Sequence, residues 1–239
     1  MSDPVTLRCG LPLLQPAQAQ KHVTVNESLM RLDGLLNLVL NSTTTAAPPA
    51  IVVDGQCWGV PFGATESWAG KAGQIAIGAN GGWVFVNPQR GQRAFVLDRG
   101  AQAVWTGTGW SEGALTLGAF GAGLRAGITE GEVAVTAGTG FWTGIFIPAN
   151  TMVIGVTARV TQAITGTMTS WTLGMSGSAN RFGSGLGLEK NSWGQGLLSA
   201  PMSFYAAQNL RVNATGGAFE AGRIRLCIHW LELSLPDSV

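Results

Sequence analysis

GRIRLCIHWLEL (222–233) and TMVIGVTARV (151–160) decide the fold, because both are long and rich in β-branched and aromatic residues. Further candidate strands are EVAVTA (132–137), FWTGIFI (141–147), SWTLGM (170–175) and NLRVNAT (209–215). Gly216 and Gly217 separate NLRVNAT from GRIRLCIHWLEL as a turn would. This number and length of strands predict a C-terminal β-sandwich, jelly-roll-like, over residues 128–239.

Residues 174–208 interrupt these strands with Gly, Ser, Asn and scattered aromatic residues. We expect long structured loops here, and such loops commonly carry recognition. An aromatic face stacks on a sugar ring, and Asn, Arg or Glu hydrogen-bond its hydroxyls, so the stretch predicts a carbohydrate site. The candidate residues are Asn180, Arg181, Phe182, Glu189, Asn191 and Trp193. The alternative is that the stretch caps the sandwich or contacts a neighbouring subunit.

Residues 47–113 repeat one theme, a Gly turn followed by Trp and alternating apolar residues. The instances are DGQCWGV (54–60), NGGWVFV (80–86) and GTGW (107–110). Asn80-Gly81 is a hairpin signal, because both residues accept positive φ. We expect a small antiparallel β-domain, a meander or barrel, with a core of Trp58, Trp68, Trp83, Trp105 and Trp110. A ligand-stacking shelf of Trp is the alternative. A Gly-rich joint, residues 114–127, leads from this domain to the sandwich.

Residues 1–46 form the predicted N-terminal anchoring segment and a short helix. Thr24 and Glu27 have capping-box spacing, which predicts a helix from about Val25 to near Asn41. Apolar residues recur on it at spacings of four and three, as Val25, Leu29, Leu32, Leu36 and Val39. Two heptads are too short to hold a helix alone, so this stripe packs on its own β-domain or joins copies of itself. Gly34 inside the helix indicates close approach by a neighbour.

Composition excludes several classes of protein. Charged residues make up 11% of the chain, against roughly 25% in an ordinary soluble domain. No stretch gathers Lys and Arg as a nucleic-acid site would, so nucleic acid is not an expected partner. The start lacks a signal-peptide pattern and no long apolar run follows, so we expect synthesis in the cytoplasm without a signal peptide, and no membrane insertion.

Catalytic and metal sites are not expected either. Cys9, Cys57 and Cys227 lie far apart without metal-ligand spacing, and we expect them to be small buried hydrophobic residues. His22 and His229 are the possible His bases, and we expect both to be structural or in the core. A glycosidase needs two convergent carboxylates, which the scattered acidic residues do not identify. We therefore expect no enzyme activity, metal or cofactor, with a polysaccharide depolymerase as the weakest alternative.

LPLLQPAQAQKHVTVNE (11–27), continued by LMRLDGLL (29–36), resembles a domain family of unknown function common in alphaproteobacterial prophages and gene transfer agents. The stretches WAGKAGQIA (68–76) and GGWVFVNPQRGQRAFV (81–96) resemble the same family. The closing stretch LRVNATGGAFEAGRIRLCIHWLELSLP (210–236) resembles the C-terminal module of gene-transfer-agent head-spike and tail-fibre proteins.

This resemblance implies a spike or fibre on the surface of a virion-like particle that attaches it to host surface polysaccharide. A purely structural spike base or adaptor is the alternative. The partners it implies are other particle proteins, such as capsid, spike or tail-fibre subunits, and further copies of the chain. Such fibres are commonly trimers, and a pentamer is the rival. Gln15, Gln18, Gln20, Lys21 and His22 precede the apolar stripe, and our hypothesis is that they help to anchor the helix.

Overall fold

The computed structural model describes residues 4–15 and 21–236, and the chain divides into two compact units, residues 1–121 (unit 1) and 122–239 (unit 2). Unit 1 contains α1 (Lys21–Leu35), β1 (Val39–Leu40), β2 (Cys57–Gly59), a 3₁₀ turn (Glu66–Trp68), β3 (Ile75–Ala79), β4 (Gly82–Val86), β5 (Arg93–Val96), β6 (Ala101–Trp105) and β7 (Trp110–Glu112). Unit 2 contains β8 (Gly123–Ala134), β9 (Gly140–Ile147), β10 (Thr151–Gly166), β11 (Ser170–Met175), β12 (Ser178–Leu186), β13 (Trp193–Phe204), β14 (Gln208–Thr215) and β15 (Phe219–Ser234).

Unit 2 is a sandwich of two four-stranded sheets, in the orders β13-β10-β15-β8 and β12-β11-β14-β9. Every pairing within them is antiparallel. The chain passes from one sheet to the other after every strand except β11, which pairs with β12 in the same sheet. This is the jelly-roll order, and it confirms the predicted sandwich. Its core comes from the inward-facing residues of both sheets, such as Val156 and Leu226 from one and Leu173 and Val212 from the other.

Two strands of the sandwich, β12 and β13, lie where the sequence predicts loops. The sequence does not predict β13 because glycines, Gly194 and Gly196, occupy inward positions where a core strand normally carries apolar side chains. At Gly196 a Cβ would lie 2.0 Å from the carbonyl oxygen of Phe182 in β12, so the close approach of the two strands demands glycine. Residues 123–127, which the sequence assigns to the Gly-rich joint, are likewise the start of β8.

Seven strands of the described part of unit 1 form one open sheet, in the order β4-β3-β2-β1-β5-β6-β7. Most pairings are antiparallel, as predicted, but β1 runs parallel to both of its neighbours. The predicted hairpin at Asn80-Gly81 is confirmed: both residues have positive φ, and they join β3 to β4.

The tryptophans of unit 1 lie where core residues are expected. Trp58, Trp68 and Trp83 pack edge to face or tilted, with ring centroids 5.2 to 6.0 Å apart. Trp105 packs on Trp110 at 5.4 Å. Trp83 and Trp110 are half-buried and the other three are buried. These five residues therefore pack in the core, as predicted, and do not form an exposed shelf for stacking a ligand.

Helix α1 differs from its prediction at both ends. It begins at Lys21, so Thr24 lies inside its first turns and the predicted capping box is wrong. Glu27 instead pairs with Arg31 one turn later, at 2.7 Å. The helix stops at Leu35 because Asn37 takes a left-handed conformation, with φ of 47°. Val39 therefore belongs to β1, and its assignment to the helical stripe is wrong.

Residues 4–15 form a strap that is hydrogen-bonded to α1. Buried Asp33 accepts hydrogen bonds from Thr6 Oγ1 at 2.8 Å and from the backbone N–H of Cys9 at 2.7 Å. Arg8 donates to the carbonyl oxygens of Asp33 and Gly34 at 2.8 and 2.7 Å, which satisfies the C-terminus of the helix. Although burial opposes ionisation, the hydrogen bonds from Thr6, Cys9 and Arg8 hold the pKa of Asp33 below its usual value.

Candidate functional site

The outer face of the sheet β13-β10-β15-β8 carries the polar and aromatic residues that alternate with its core residues. Strand register places them in rows across the four strands. One row reads Trp193, Arg159, Arg225 and Glu132, the next reads Gln195, Thr157, Cys227 and Glu130, and the third reads Leu197, Gly155, His229 and Ile128.

A shallow groove, which we call the outer groove, follows these rows. Its first hollow has a volume of about 310 Å³ and is lined by Glu130, Thr157, Ala158, Arg159, Trp193, Gly194, Gln195, Arg225, Leu226 and Cys227. A second hollow of about 180 Å³ shares Thr157 and Gln195 with it and continues to Leu197 and His229. Trp193 is 66% exposed, so its indole is open to solvent at the first hollow. The groove offers an aromatic face beside guanidinium, amide and carboxylate groups.

In and beside the first hollow, two arginines share one carboxylate. Arg225 contacts Glu132 at 3.1 Å, and Arg223 shares the same carboxylate at 3.5 Å. Burial alone would raise the pKa of Glu132, but hydrogen bonds, including one from Arg225, and the charges of Arg225 and Arg223 hold it below its usual value. Glu132 is therefore ionised near neutral pH and serves as a counter-ion.

The floor of the groove holds a hydroxyl, an imidazole and a thiol. Thr157 Oγ1 and His229 Nε2 are 3.0 Å apart and form a hydrogen bond. Burial, and next the charge of Glu130, raise the pKa of the Cys227 thiol, so this sulfur is protonated at neutral pH. Both Cys227 and His229 are half-buried on the outer side of β15, so the expectation that Cys227 is buried is wrong. His229 is not in the core, but its hydrogen bond to Thr157 agrees with the expected structural role. Cys9 is also exposed, and of the three cysteines Cys57 is buried as expected.

The six residues predicted as a carbohydrate site are divided by the structure. Trp193 begins β13 and lines the outer groove. Glu189 and Asn191 lie in the turn before β13. The carbonyl oxygen of Asn191 accepts a hydrogen bond from Arg159 Nη1 at 3.5 Å. Phe182 is wrong, because it is buried in the sandwich core at 2% exposure. Asn180 and Arg181 are exposed on β12, which belongs to the other sheet.

Sequence reasoning missed the partners of Trp193 in the groove, namely Arg159, Gln195 and Arg225. The signal was present in the alternation of the two longest strands, TARV in β10 and RIRLCIHW in β15. Every second residue of these strands points away from the core, so their polar residues belong to one face.

A second candidate surface is the apolar stripe of α1. Helix α1 packs on the unit 1 sheet through a different face, with Met30 and Gly34 buried. Stripe residues Val25 and Leu32 of the helix, and Leu36 directly after it, remain 41%, 51% and 48% exposed. Leu29 is half-buried. Of the two open alternatives, packing on the chain's own sheet does not account for this stripe.

The predicted anchoring residues ahead of the stripe are only partly described. Gln15 is exposed and His22 is half-buried within α1. Gln18, Gln20 and the side chain of Lys21 lie outside the described residues. Among residues 4–15 and 21–236 no cluster of His, Cys, Asp or Glu has metal-site geometry, and no helix there is long and apolar enough to span a membrane.

No curated protein matches the chain. A chain in a solved structure titled "Cyanophage Pam1 capsid asymmetric unit" is similar with 22% identity and a TM-score of 0.36, and the match covers 50% of this chain and 91% of that one. Residues 25–111, from α1 to β7 of unit 1, match the model of a family described as "Protein of unknown function (DUF2793)".

Proposed function

We propose that this chain is a structural and adhesion subunit of a phage-like gene transfer agent particle, a head spike or tail fibre that binds host surface polysaccharide through the outer groove. One observation carries the proposal: the exposed indole of Trp193 lies at the same groove as the polar side chains of Arg159 and Gln195. The resemblance of residues 11–36 to prophage and gene-transfer-agent proteins supports the particle role.

The chemistry of the outer groove suits a sugar polymer. An indole face packs against the C–H side of a pyranose ring, while planar guanidinium and amide groups hydrogen-bond its hydroxyls. The two hollows extend from Trp193 to Leu197, a strand distance of roughly 14 Å at about 3.4 Å per residue. An open groove of this length accommodates successive units of a chain better than a single sugar.

Assembly is the other half of the proposal. The exposed stripe of α1 has the spacing of a coiled-coil seam, so we propose that it joins copies of the chain in a homo-oligomer, a trimer or a pentamer. Unit 1 would then attach the appendage to other particle proteins. The purely structural alternative, a spike base or adaptor, needs this stripe but not the outer groove.

Hydrolysis is the less favoured reading of the same groove. Glu130 and Glu132 are two residues apart on β8 and lie on the same face, at a spacing of roughly 7 Å. This spacing falls in the range of the two carboxyl groups of an inverting glycosidase. A glycosidase general acid needs a raised pKa, whereas that of Glu132 is lowered by its arginine partners. We therefore propose binding without cleavage.

The test is adsorption of particles that carry or lack this chain to capsulated and capsule-free cells, with particle morphology followed by electron microscopy. We expect particles without the chain to remain intact and to lose adsorption to capsulated cells only. Particles that lose an appendage yet adsorb normally, or that fail to assemble, would show that the chain is scaffold alone.

A further inference from the structure

The first hollow contains two arginines with the same charge directly opposite each other. Arg159 of β10 and Arg225 of β15 are register partners, and Trp193 is the partner of Arg159 on its other side. Like charges in directly opposed positions destabilise an antiparallel pair. A surface that keeps such a pair beside an exposed indole has the composition of an anion site.

Carboxylates of the described residues neutralise this pair only in part. Glu132 is already shared by Arg225 and Arg223, and Glu130 lies in the next row, opposite Cys227. Among the described residues no carboxylate lies within 4.0 Å of the Arg159 guanidinium, whose contact is the carbonyl oxygen of Asn191 at 3.5 Å. Strands β10 and β13 contain no Asp or Glu at all.

We propose, on the basis of the function proposed above, that the outer groove recognises an acidic polysaccharide and that a sugar carboxylate binds at Arg159 and Arg225. A pyranose ring that lies on the Trp193 indole places a ring substituent toward the neighbouring strand, about 5 Å away. A guanidinium group binds a carboxylate through two parallel hydrogen bonds, which a neutral hydroxymethyl group does not reproduce. The ligand class is thus a polyuronate, a chain of sugars that carry ring carboxylates.

The probe is polygalacturonate, compared with the same polymer after reduction of its carboxylates to hydroxymethyl groups. Binding of the full-length chain to each polymer is measured by affinity electrophoresis. We expect polygalacturonate to bind and the reduced polymer to bind roughly tenfold more weakly or not at all. Arg159→Gln is expected to weaken binding to polygalacturonate by a similar factor. Arg181 is exposed on the other sheet, and Arg181→Gln is expected to bind as wild type does.

Dextran sulfate separates a carboxylate-specific site from general attraction to polyanions. Binding of dextran sulfate that matches polygalacturonate and survives Trp193→Ala would overturn the inference, because charge alone would then suffice. Equal binding of the native and reduced polymers would overturn it too, as would no binding of polygalacturonate by a chain that still binds capsulated cells. Neither of these two polymer results contradicts the proposed adhesion function. That function would be contradicted only if the chain did not contribute to binding of capsulated cells.

Discussion

Gly34 of α1 lies directly against Ile77 of β3: a Cβ at position 34 would be 2.7 Å from Ile77 Cγ2. The sequence predicts this close approach from a glycine inside a helix. We expect Gly34→Ala to destabilise unit 1 by about 1 to 3 kcal/mol through overpacking, which outweighs the roughly 1 kcal/mol that Ala gains in helix propensity. Hydrogen exchange of the α1 amides measures the change.

A double-mutant cycle isolates the contact between these two residues. Ile77→Ala alone destabilises unit 1 because it opens a cavity. In the double variant the added methyl group of residue 34 meets no clash, so the combined cost is expected to be smaller than the sum of the two single costs. Strict additivity would show that the helix does not rest on Ile77 in this way.

Asp33 predicts a dependence of stability on pH. Its pKa is lowered in the folded chain, so the stability that the ionised carboxylate contributes is fully present above its unfolded pKa, about 3.9, and is lost as the pH falls through the folded pKa. We expect Asp33→Asn to lower the free energy of unfolding of unit 1 by roughly 1.5 to 3 kcal/mol at pH 7.

Urea unfolding of wild type and Asp33→Asn over a series of pH values measures this dependence. The difference between the two proteins is expected to shrink as the pH falls below about 4, since protonated Asp33 resembles the amide. A difference that stays constant down to pH 2 would mean that the ionised form of Asp33 is not the one that the strap stabilises.

The α1 stripe predicts a change of oligomeric state without a change of fold. Because Leu32 and Leu36 are exposed in the single chain, the double substitution of both to Lys is expected to leave its folding intact. It should convert the proposed oligomer to a monomer in sedimentation-velocity experiments, since a buried seam does not tolerate lysine pairs. Thr24→Lys, an exposed helix position outside the stripe, is the matched control. An oligomer that persists in the double variant would place the interface elsewhere.

The jelly roll could be predicted because its long central strands alternate between buried and exposed residues over most of their middle part. In β10 and β15, residues such as Val160 and Ile224 fill the core while Arg159 and Arg225 point outward. The sequence did not reveal β12 and β13, because the close packing of Gly196 on Phe182 replaces the expected apolar side chain with glycine. A strand whose inward residues are glycines has the composition of a loop.

The candidate site was predictable only in part, and for a related reason. Trp193, singled out as an aromatic residue among polar neighbours, lines the outer groove, and its role in binding a sugar stays a prediction. Its partners Arg159 and Arg225 lie on other strands, more than thirty residues away along the chain, and only the register of β10 with β13 and β15 brings them together. Phe182 was wrong because composition does not tell which residues of a short Gly-rich strand face inward.

The most direct measurement of the central claim is binding of the Trp193→Ala chain to capsulated cells, with Trp142→Ala as its control. Trp142 is a second exposed tryptophan, 49% exposed, on strand β9 of the other sheet. We expect Trp193→Ala to weaken binding at least roughly tenfold and Trp142→Ala to bind as wild type does, with unchanged circular dichroism for both. Wild-type binding by Trp193→Ala, or an equal loss in Trp142→Ala, would contradict the assignment of adhesion to the outer groove.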